Sequence, residues 1–446
     1  MKNFNNNLKK YEFNMKPIKL FDSFAGIGAL HQALKELGVP IELIGMSEID
    51  IDAIISYGSI HNLINKSLNL PSEDEMRQYL IDRNIGYDFK TNKSKIPKLK
   101  KDKLEKCYKV CVIGNNYGDI SKIKYENIKD FDLFNFSFPC TDISIAGKQK
   151  GMRDIDGNKT SSGLYINGIE LIKTKKPKYI MIENVKNLIS KKFINDFNSL
   201  INELKALGYE CYYPIKNGKP KCLNAKDYGI PQNRERIFII CVRNDIKLNF
   251  EFPKEFDNRL RLKVLLEDEV DKKYYLSKEK INKIFNWKAH QRPLERVLGK
   301  ESICPTLTAR GAGEYHSGMI LLNEYFDNIV NVDKIISADY RYDEGLRIRK
   351  EEISPTLTCK IGSKSLSGNT LIIDKKEGYN NNFSFKIRKL TPKECWRLMG
   401  FRDECFTKAK EQGISDTQLY KQAGNSIVVN VLYYIFLEIF KNKLKY

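Results

Sequence analysis

A thiol and a carboxylate stand out in the sequence because each lies at the end of an apolar run. Cys140 ends the run FDLFNFSFPC, and Glu183 lies near the end of PKYIMIENV. At the ends of neighbouring strands, such a pair can supply a nucleophile and an acid–base partner. A cysteine beside a proline is more often only a small apolar side chain. The chemistry of Cys140 therefore depends on what surrounds it.

A second group of residues is typical of a nucleotide-type cofactor site. An apolar strand runs into DSFAGIG, which contains Gly26 and Gly28, and a helix with one apolar face follows. The next apolar segment, IELIGMSEID, ends near Glu48, which lies 20 residues after Gly28. A glycine turn before a helix, with an acidic residue after the second strand, is the arrangement of doubly wound folds. The full GxGxxG pattern is absent, so the spacing to Glu48 is the stronger indication.

An α/β fold would gather these residues. Helical segments alternate with further predicted strands in VCVIGNNYGDI, which ends near Asp119 and Ile120, in GYECYYPIKN and in DYGIPQNRERIFIICVRND. The carboxyl ends of parallel strands meet at one edge of a sheet, where ligands bind. We therefore expect a doubly wound, Rossmann-like sheet with a second, smaller, mostly β domain.

The predicted catalytic domain covers residues 1–252 and is completed by C-terminal helices at about 408–446. An insertion at about 67–109 interrupts this domain. Its segment SEDEMRQYLIDRN is predicted to be helical, and its basic remainder is predicted to be a solvated loop.

Residues 253–407 form the predicted second domain, in which a segment is nearly repeated. The copies are ICPTLTARGAGEYHSGMILL from Ile303 and ISPTLTCKIGSKSLSGNTLII from Ile353. Each consists of an extended Pro-Thr-Leu-Thr segment, a Gly/Ser/basic loop and an apolar strand. After the repeat, RKLTPKECWRLMGF and KQAGNSIVVNVLYYIFLEIF are predicted to form two helices.

The composition favours a nucleic-acid partner and a cytoplasmic setting. The chain carries 76 Lys+Arg against 56 Asp+Glu, a net charge of +20. Such an excess favours a polyanion, although general solubility and lysine-rich codon usage are alternative explanations. The ten cysteines form no Cys-x-x-Cys pair and only four histidines are present, which argues against a zinc site. The N-terminus lacks a signal-peptide core, and the apolar run IVVNVLYYIFLEIF is too short for a bilayer.

Eight blocks of the sequence together resemble the DNA cytosine-5 methyltransferases. In order they are FDSFAGIG, SEID, GDI, FPCTDISIAG, ENV, QNRER, LTPKECWRLMGF and GNSIVV. The resemblance covers nearly the whole chain. It implies a prokaryotic restriction-modification or orphan enzyme that transfers a methyl group from S-adenosyl-L-methionine to C5 of a flipped-out cytosine in double-stranded DNA. No metal is expected, since the sulfonium is already an activated methyl donor. We expect a monomer, with a cognate restriction endonuclease as partner if the enzyme belongs to a restriction-modification system.

The resemblance also implies roles for the catalytic residues. Cys140 would attack C6 of the cytosine, and Glu183 would bond N3 and the exocyclic amine. Arg234 and Arg236 would hold the flipped nucleotide, with Arg236 at the cytosine carbonyl. Gln232, in the same block, would support this loop where it meets DNA.

Ten residues would bind the cofactor by the same resemblance. Phe24 would stack near adenine, and Gly26 and Gly28 would let the backbone approach the methionine part. The others would bind the ribose hydroxyls (Glu48), bind adenine (Asp119 and Ile120) and complete the pocket (Pro139, Leu164, Asn425 and Ser426). Core packing is the alternative interpretation of Ile120 and Leu164.

DNA reading is assigned to the near-repeat, because the family's target-recognition domain carries a Thr-Leu pair beside its reading loops. Here the pair begins at Thr306 and again at Thr356, and basic side chains follow at Arg310 and Lys360. We expect both loops to contact the site, one on each side of the cytosine. The alternative is a duplicated structural hairpin with only one copy touching bases.

Two departures from the family and two rival functions bear on this interpretation. Thr141 stands where the family usually has Gln, and Ser137 where it has Gly or Pro; either change could alter closure of the catalytic loop. A transfer-RNA-type cytosine-5 methyltransferase shares these blocks and carries a Cys-Phe-Thr signature. That triplet occurs here from Cys405, but after LTPKECWRLMGF rather than before it. A non-catalytic DNA-binding regulator is the other alternative, and the intact Cys140 and Glu183 argue against it.

Overall fold

A computed structural model of the chain describes residues 8–89, 91–139, 164–256, 260–275 and 386–445. It also describes position 277 and six short pieces, which are 297–298, 303–307, 319–322, 337–341, 345–348 and 371–372.

The described elements follow one another in the order that the alternating sequence pattern predicts for the first half of the chain. The strands are β1 Ile18–Ser23, β2 Ile41–Ser47, β3 Tyr87–Asp88, β4 Lys93–Ser94, β5 Leu133–Phe136, β6 Tyr179–Val185, β7 Tyr209–Tyr212, β8 Ile215–Lys216, β9 Lys219–Pro220, β10 Leu223–Asn224, β11 Gln232–Asn233, β12 Glu235–Arg243, β13 Val297–Leu298, β14 Cys304–Pro305, β15 Met319–Leu322, β16 Ser337–Arg341, β17 Gly345–Ile348, β18 Leu371–Ile372 and β19 Lys386–Lys389. The α-helices are α1 Ala29–Leu37, α2 Ile51–Ile60, α3 Glu73–Asp82, α4 Lys101–Ile113, α5 Tyr165–Lys175, α6 Ile194–Ala206, α7 Pro392–Arg397, α8 Asp403–Glu411, α9 Asp416–Asn425 and α10 Val429–Phe440.

A seven-stranded sheet forms the centre of the molecule, and this confirms the predicted doubly wound α/β class. Its order is β10-β12-β6-β5-β1-β2, and β7 also pairs with β12. The strands β2, β1, β5 and β6 are parallel, whereas β12 is antiparallel to β6, β7 and β10. The sheet is therefore mixed at one edge. Because β2 and β5 lie on opposite sides of β1, the strand order reverses there, and such a switch point opens a ligand crevice.

The C-terminal helices complete the core that α1 begins. The apolar face of α1 packs against α10, and both contribute to one large cluster of buried residues. By length and composition, Asp416–Lys443 could cross a membrane, but 78% of its apolar window is buried inside the fold. This burial is typical of core helices. The sequence predicted two helices in this part of the chain, and the structure has four, α7 to α10.

The insertion differs from its prediction. The helix predicted in SEDEMRQYLIDRN is confirmed as α3, whose N-terminus has a capping box between Ser72 and Glu75. The predicted solvated loop and the predicted strand in VCVIG are wrong, because both regions contribute to α4. Leu104, Cys107 and Cys111 of α4 are fully buried at helical spacing. That 3.6-residue period extends through the β-branched residues and decides the structure.

The second predicted domain shares part of its sequence with the catalytic core. Its described residues include two small sheets, β13-β15-β19 and β17-β16-β18. The apolar strands expected at the ends of the two repeat copies are β15 and β18, and they lie in different sheets. However, Leu262, Cys304, Leu390 and Trp396 belong to the same buried cluster as α1 and α2. The predicted boundary at 407 therefore cuts through the catalytic core, since α7 and part of the 260–307 segment pack inside it.

Candidate active site

The glycine loop after β1 has a backbone that only selected residues can adopt. Phe24, Gly26 and Gly28 all have positive φ, at 50°, 54° and 78°. A Cβ on Gly28 would lie 2.3 Å from Nε2 of His61, so a larger residue cannot be accommodated there. A Cβ on Gly26 would have no atom within 4 Å. The backbone at Gly26 is therefore open to close approach by a ligand.

Glu48 holds this loop in place from the end of β2. Its Oε2 accepts the N–H of Gly26 at 2.8 Å, and its Oε1 accepts the N–H groups of Ile49 and Asp50, both at 2.8 Å. Burial raises the pKa of the Glu48 carboxyl, and the Asp50 carboxylate adds to the increase, while the three N–H donors oppose it. The structure thus brings the glycine loop and the acidic residue together.

Asn116 connects the two acidic positions of the site, and the sequence analysis missed it. Its Oδ1 accepts the N–H of Glu48 at 3.1 Å and that of Gly118 at 3.0 Å, and its Nδ2 donates to the Glu48 carbonyl at 2.9 Å. Ser47 Oγ donates to the Gly118 carbonyl at 2.6 Å. These bonds place Asp119 beside Glu48. The missed signal was the Asn-Asn pair between a helix and Gly118, which is typical of a turn.

A buried carboxyl group, Asp22, lies beneath the loop. Its side chain is fully buried, and Asn135 Nδ2 donates to its Oδ1 at 2.5 Å. Burial raises the pKa of Asp22 to about 7, with Glu48 and Tyr57 as neighbouring titratable groups. The folded protein therefore keeps a proton on Asp22 under conditions in which the unfolded chain has lost it.

This proton predicts how stability depends on pH. Between about pH 4 and pH 7 the folded state binds more protons at Asp22 than the unfolded state does, so the free energy of unfolding decreases as pH rises, by up to about 1.4 kcal/mol per pH unit. In Asp22→Asn this component of the slope should disappear, while an acceptor for Asn135 remains. Urea unfolding at pH 5, 6, 7 and 8 measures the slope. Asp130→Asn, at a side chain that is 88% exposed, is the control. An Asp22→Asn slope equal to that of the wild type would contradict the prediction.

The remaining predicted cofactor residues surround the same sheet edge with different degrees of burial. Asp119 caps a short 3₁₀ turn, and Ile120 is 2% exposed, in agreement with its alternative as a core residue. Pro139 and Leu164 are half-buried, Asn425 is exposed and Ser426 is buried. Two bonds link α5, which follows Leu164, to the Ile120 turn. They run from Asn167 Nδ2 to Tyr125 Oη (3.1 Å) and from Tyr125 Oη to the Ile120 carbonyl (3.3 Å).

Glu183 and Arg236 form an ion pair at the carboxyl edge of the sheet. In the β6–β12 register Glu183 lies opposite Phe238, and Arg236 is two residues along the same face. Arg236 Nε lies 3.0 Å from Glu183 Oε1. Burial raises the pKa of Glu183, whereas Arg236 and Arg234 lower it. The site therefore holds a carboxyl group between two opposing influences, which suits a group that accepts and donates protons.

Arg234 does not reach this pocket, contrary to its predicted role. It is 4% exposed, and its guanidinium donates to the carbonyls of Leu307 (2.9 Å), Gly424 (3.1 Å) and Ser426 (2.8 Å). These contacts tie the QNRER loop to the first repeat copy and to the end of α9. Arg234 thus positions backbone segments.

Gln232 and Thr306 were assigned to DNA, and their described contacts are also internal. Gln232 is fully buried; its Nε2 donates to the Leu398 carbonyl at 2.7 Å, and its Oε1 accepts the N–H of Leu307 at 3.2 Å. Thr306 Oγ1 donates to the Asn233 carbonyl at 2.7 Å. Both bonds follow from the parallel pairing of β11 with β14. Gln232 supports the loop, as expected, but it has no surface for DNA.

The chain leading to Cys140 can be followed to Pro139. It leaves β5 beside β6, and Asn184 Nδ2 donates to the Phe138 carbonyl at 3.4 Å. The last described residues before Cys140 therefore lie next to the strand that carries Glu183. Cys140 itself and Arg310, Thr356 and Lys360 are outside the described residues.

Comparison with known proteins identifies the family. Residues 92–441 match the model of the C-5 cytosine-specific DNA methylases. The chain is 36% identical over 430 residues to the type II methyltransferase M2.ScrFI of Lactococcus lactis subsp. cremoris, covering 96% of this chain and 100% of that protein. It is 30% identical over 492 residues to the orphan methyltransferase M.SPRI of Bacillus phage SPR, covering 95% and 98%.

A solved structure supports the same fold. The S. pombe Dnmt2 methyltransferase has a TM-score of 0.55 to this structure at 16% identity, covering 96% of this chain and 99% of that one. The chain therefore belongs to the C-5 cytosine-specific DNA methylase family and is a DNA cytosine methyltransferase related to type II and orphan enzymes of bacteria and phages.

Proposed function

We propose that this enzyme transfers the methyl group of S-adenosylmethionine to C5 of a cytosine flipped out of double-stranded DNA, through a covalent bond between Cys140 Sγ and C6. The observation that carries the proposal is the Glu183–Arg236 pair, which stands at the same sheet edge as the glycine loop and Glu48. A base cannot reach such an edge while it is stacked in a duplex, so the target nucleotide must leave the helix.

The reaction divides its bond changes among three side chains. The Cys140 thiolate adds to C6, and Glu183 donates a proton to N3, so that electron density collects at C5. Because burial raises the pKa of Glu183, this carboxyl holds a proton more readily than an exposed glutamate. Arg236 would hold the cytosine carbonyl. After methylation, loss of the C5 proton to a base re-forms the ring double bond and expels Cys140.

The residues at the switch point fit the proposed cofactor. S-adenosylmethionine supplies an activated methyl group on a sulfonium. The backbone at Gly26 is open, so it can approach the methionine part, and Phe24 lies in the same loop. Two carboxylates, Glu48 and Asp119, stand where hydroxyl and amine donors of a nucleoside would need acceptors. Pro139, Leu164, Asn425 and Ser426 complete the proposed pocket, with Ile120 beneath it.

For the second domain we propose that the described small sheets carry the target-recognition loops. Thr306 bonds to the QNRER loop, which favours a structural role for the first Pro-Thr-Leu-Thr segment, with Arg310 beyond it as the side chain that reads or contacts DNA. The second copy, with Thr356 and Lys360, would contact the other side of the cytosine. The cellular setting we propose is a cytoplasmic monomer, paired with a cognate restriction endonuclease if it belongs to a restriction-modification system.

The transfer-RNA alternative rested on the Cys-Phe-Thr triplet. In the structure these residues lie within α8, where Cys405 is 6% exposed and the ring of Phe406 contacts Trp396 edge-on at 5.7 Å. Helical packing thus explains the triplet.

One assay separates the substrates. The enzyme is incubated with a tritiated methyl donor and either duplex DNA or transfer RNA, and 5-methylcytosine is located by sequencing. We expect incorporation into DNA at specific cytosines. Incorporation only into transfer RNA, or at another position of the base, would contradict the proposal.

A further inference from the structure

The inserted segment of residues 67–113, which contains α3 and α4, contacts the cofactor site at two points. Near Glu48, the Gly86 N–H donates to the Ile49 carbonyl at 2.7 Å. At the other acidic position, the Asp119 N–H donates to the Arg83 carbonyl at 2.9 Å. Both contacts come from the turn that follows α3. The inserted segment is therefore part of the wall of the proposed nucleoside site.

Asn84 is the side chain of this turn that reaches the site. Its Nδ2 donates to Asp119 Oδ2 at 2.9 Å, and its Oδ1 accepts from Lys122 Nζ at 2.9 Å. An ammonium group can only donate and a carboxylate can only accept. These two neighbours therefore fix the orientation of the amide, with its NH₂ group towards Asp119.

The bonds to Asp119 determine which of its oxygens can bind a further donor. Oδ1 accepts from the N–H of Ser121 at 3.0 Å and from Ser121 Oγ at 2.8 Å. Oδ2 accepts from Asn84. Because a carboxylate has about four acceptor positions, two on each oxygen, Oδ2 can accept one more N–H. Asn84 and Ser121 also prevent the carboxylate from rotating.

We propose that Asn84 is a positioning residue that aims Oδ2 of Asp119 at the exocyclic amine of adenine, so that the inserted segment sets the preference of the enzyme for adenine in its methyl donor. This inference rests on the proposed function, in which Asp119 lies at the adenine. A hypoxanthine base carries a carbonyl oxygen in place of the amine. It would face a fixed carboxylate and be rejected.

The experiment compares two ligands and a matched pair of variants. Calorimetry gives the dissociation constants of S-adenosylhomocysteine and S-inosylhomocysteine. Asn84 has φ of 53° and Asn92, at the β3–β4 turn of the same segment, has φ of 55°. Glycine adopts this conformation without strain. Asn84→Gly therefore removes only the side chain, and Asn92→Gly makes the same change where the partner is the Tyr87 hydroxyl, away from the site.

The expected result is a loss of discrimination without a loss of chemistry. Wild type and Asn92→Gly should prefer the adenine ligand by roughly tenfold or more, the scale of a hydrogen bond to a charged group. In Asn84→Gly the preference should fall at least about fivefold, with kcat at saturating methyl donor nearly unchanged. Equal weakening of both ligands, or an unchanged preference, would overturn the inference.

Asp119→Ala distinguishes failure of the inference from failure of the proposed function. If Asp119→Ala keeps the wild-type preference, or the wild type has none, the assignment of Asp119 to adenine is wrong and the inference fails with it. If Asp119→Ala loses the preference and Asn84→Gly keeps it, only the positioning role of Asn84 is wrong.

Discussion

Replacing Cys140 by serine should abolish methyl transfer while DNA and cofactor binding persist. A hydroxyl group is a far weaker nucleophile than a thiol at neutral pH, and no base adjacent to Cys140 has been identified that could activate it. Turnover is measured with a tritiated methyl donor on duplex DNA. A second measurement uses duplex with 5-fluorocytosine at the target. The adduct cannot lose fluorine, so wild type should remain attached through denaturing electrophoresis and Cys140→Ser should not.

A second thiol near the site provides the matched control. Cys222 directly precedes the β10 residue that pairs with Arg236, and its charged neighbours include Glu235 and Glu183. Burial raises the pKa of Cys222 to about 12, so this thiol stays protonated and unreactive. Cys222→Ser should therefore retain turnover and adduct formation. Comparable turnover by Cys140→Ser, or loss of the adduct only in Cys222→Ser, would remove Cys140 from its role.

Glu183→Gln is expected to slow the chemical step by roughly two orders of magnitude or more, the usual effect of losing a positioned acid–base group. The amide cannot exchange a proton with N3, but its carbonyl still accepts from Arg236 Nε, so the fold should tolerate the change. Single-turnover kinetics measure the step directly.

Glu48→Ala is the mirror variant for Glu183→Gln. Glu48 holds the glycine loop through the Gly26 N–H, so its loss should weaken the cofactor and leave DNA affinity nearly intact. Calorimetry with each ligand tests both variants. If Glu183→Gln loses cofactor affinity instead, Glu183 has been placed in the wrong half of the site.

Local patterns predicted the parts of this enzyme that depend on neighbours in sequence. The glycine turn, the helix that ends before Gly38 and the strand ends at Glu48 and Glu183 are where the alternation of apolar and polar residues indicated. The α4 helix was the exception, since its β-branched residues imitate a strand over a short window.

Contacts between distant segments could not be predicted in the same way. Arg234 looks like a nucleotide-binding arginine in the QNRER block, yet it donates to carbonyls 73 and 190 residues away. Asn116 bonds across 68 residues to Glu48. Neither partner leaves a signature near the residue itself, and only the tertiary fold brings them together.

The packing of α1 against α10 separates the first helix of the core from its partner by almost the whole length of the chain. Residues 12–14 also pair with residues 443–445, through bonds from Asn14 to Lys443 and from Lys445 to Glu12. At ordinary rates of translation, roughly 20–80 s pass between synthesis of α1 and synthesis of α10. During this time the apolar face of α1 is exposed on the nascent chain, where chaperones can bind it. The core closes only after release of α10 from the ribosome, so newly made polypeptide becomes able to modify the genome late and all at once.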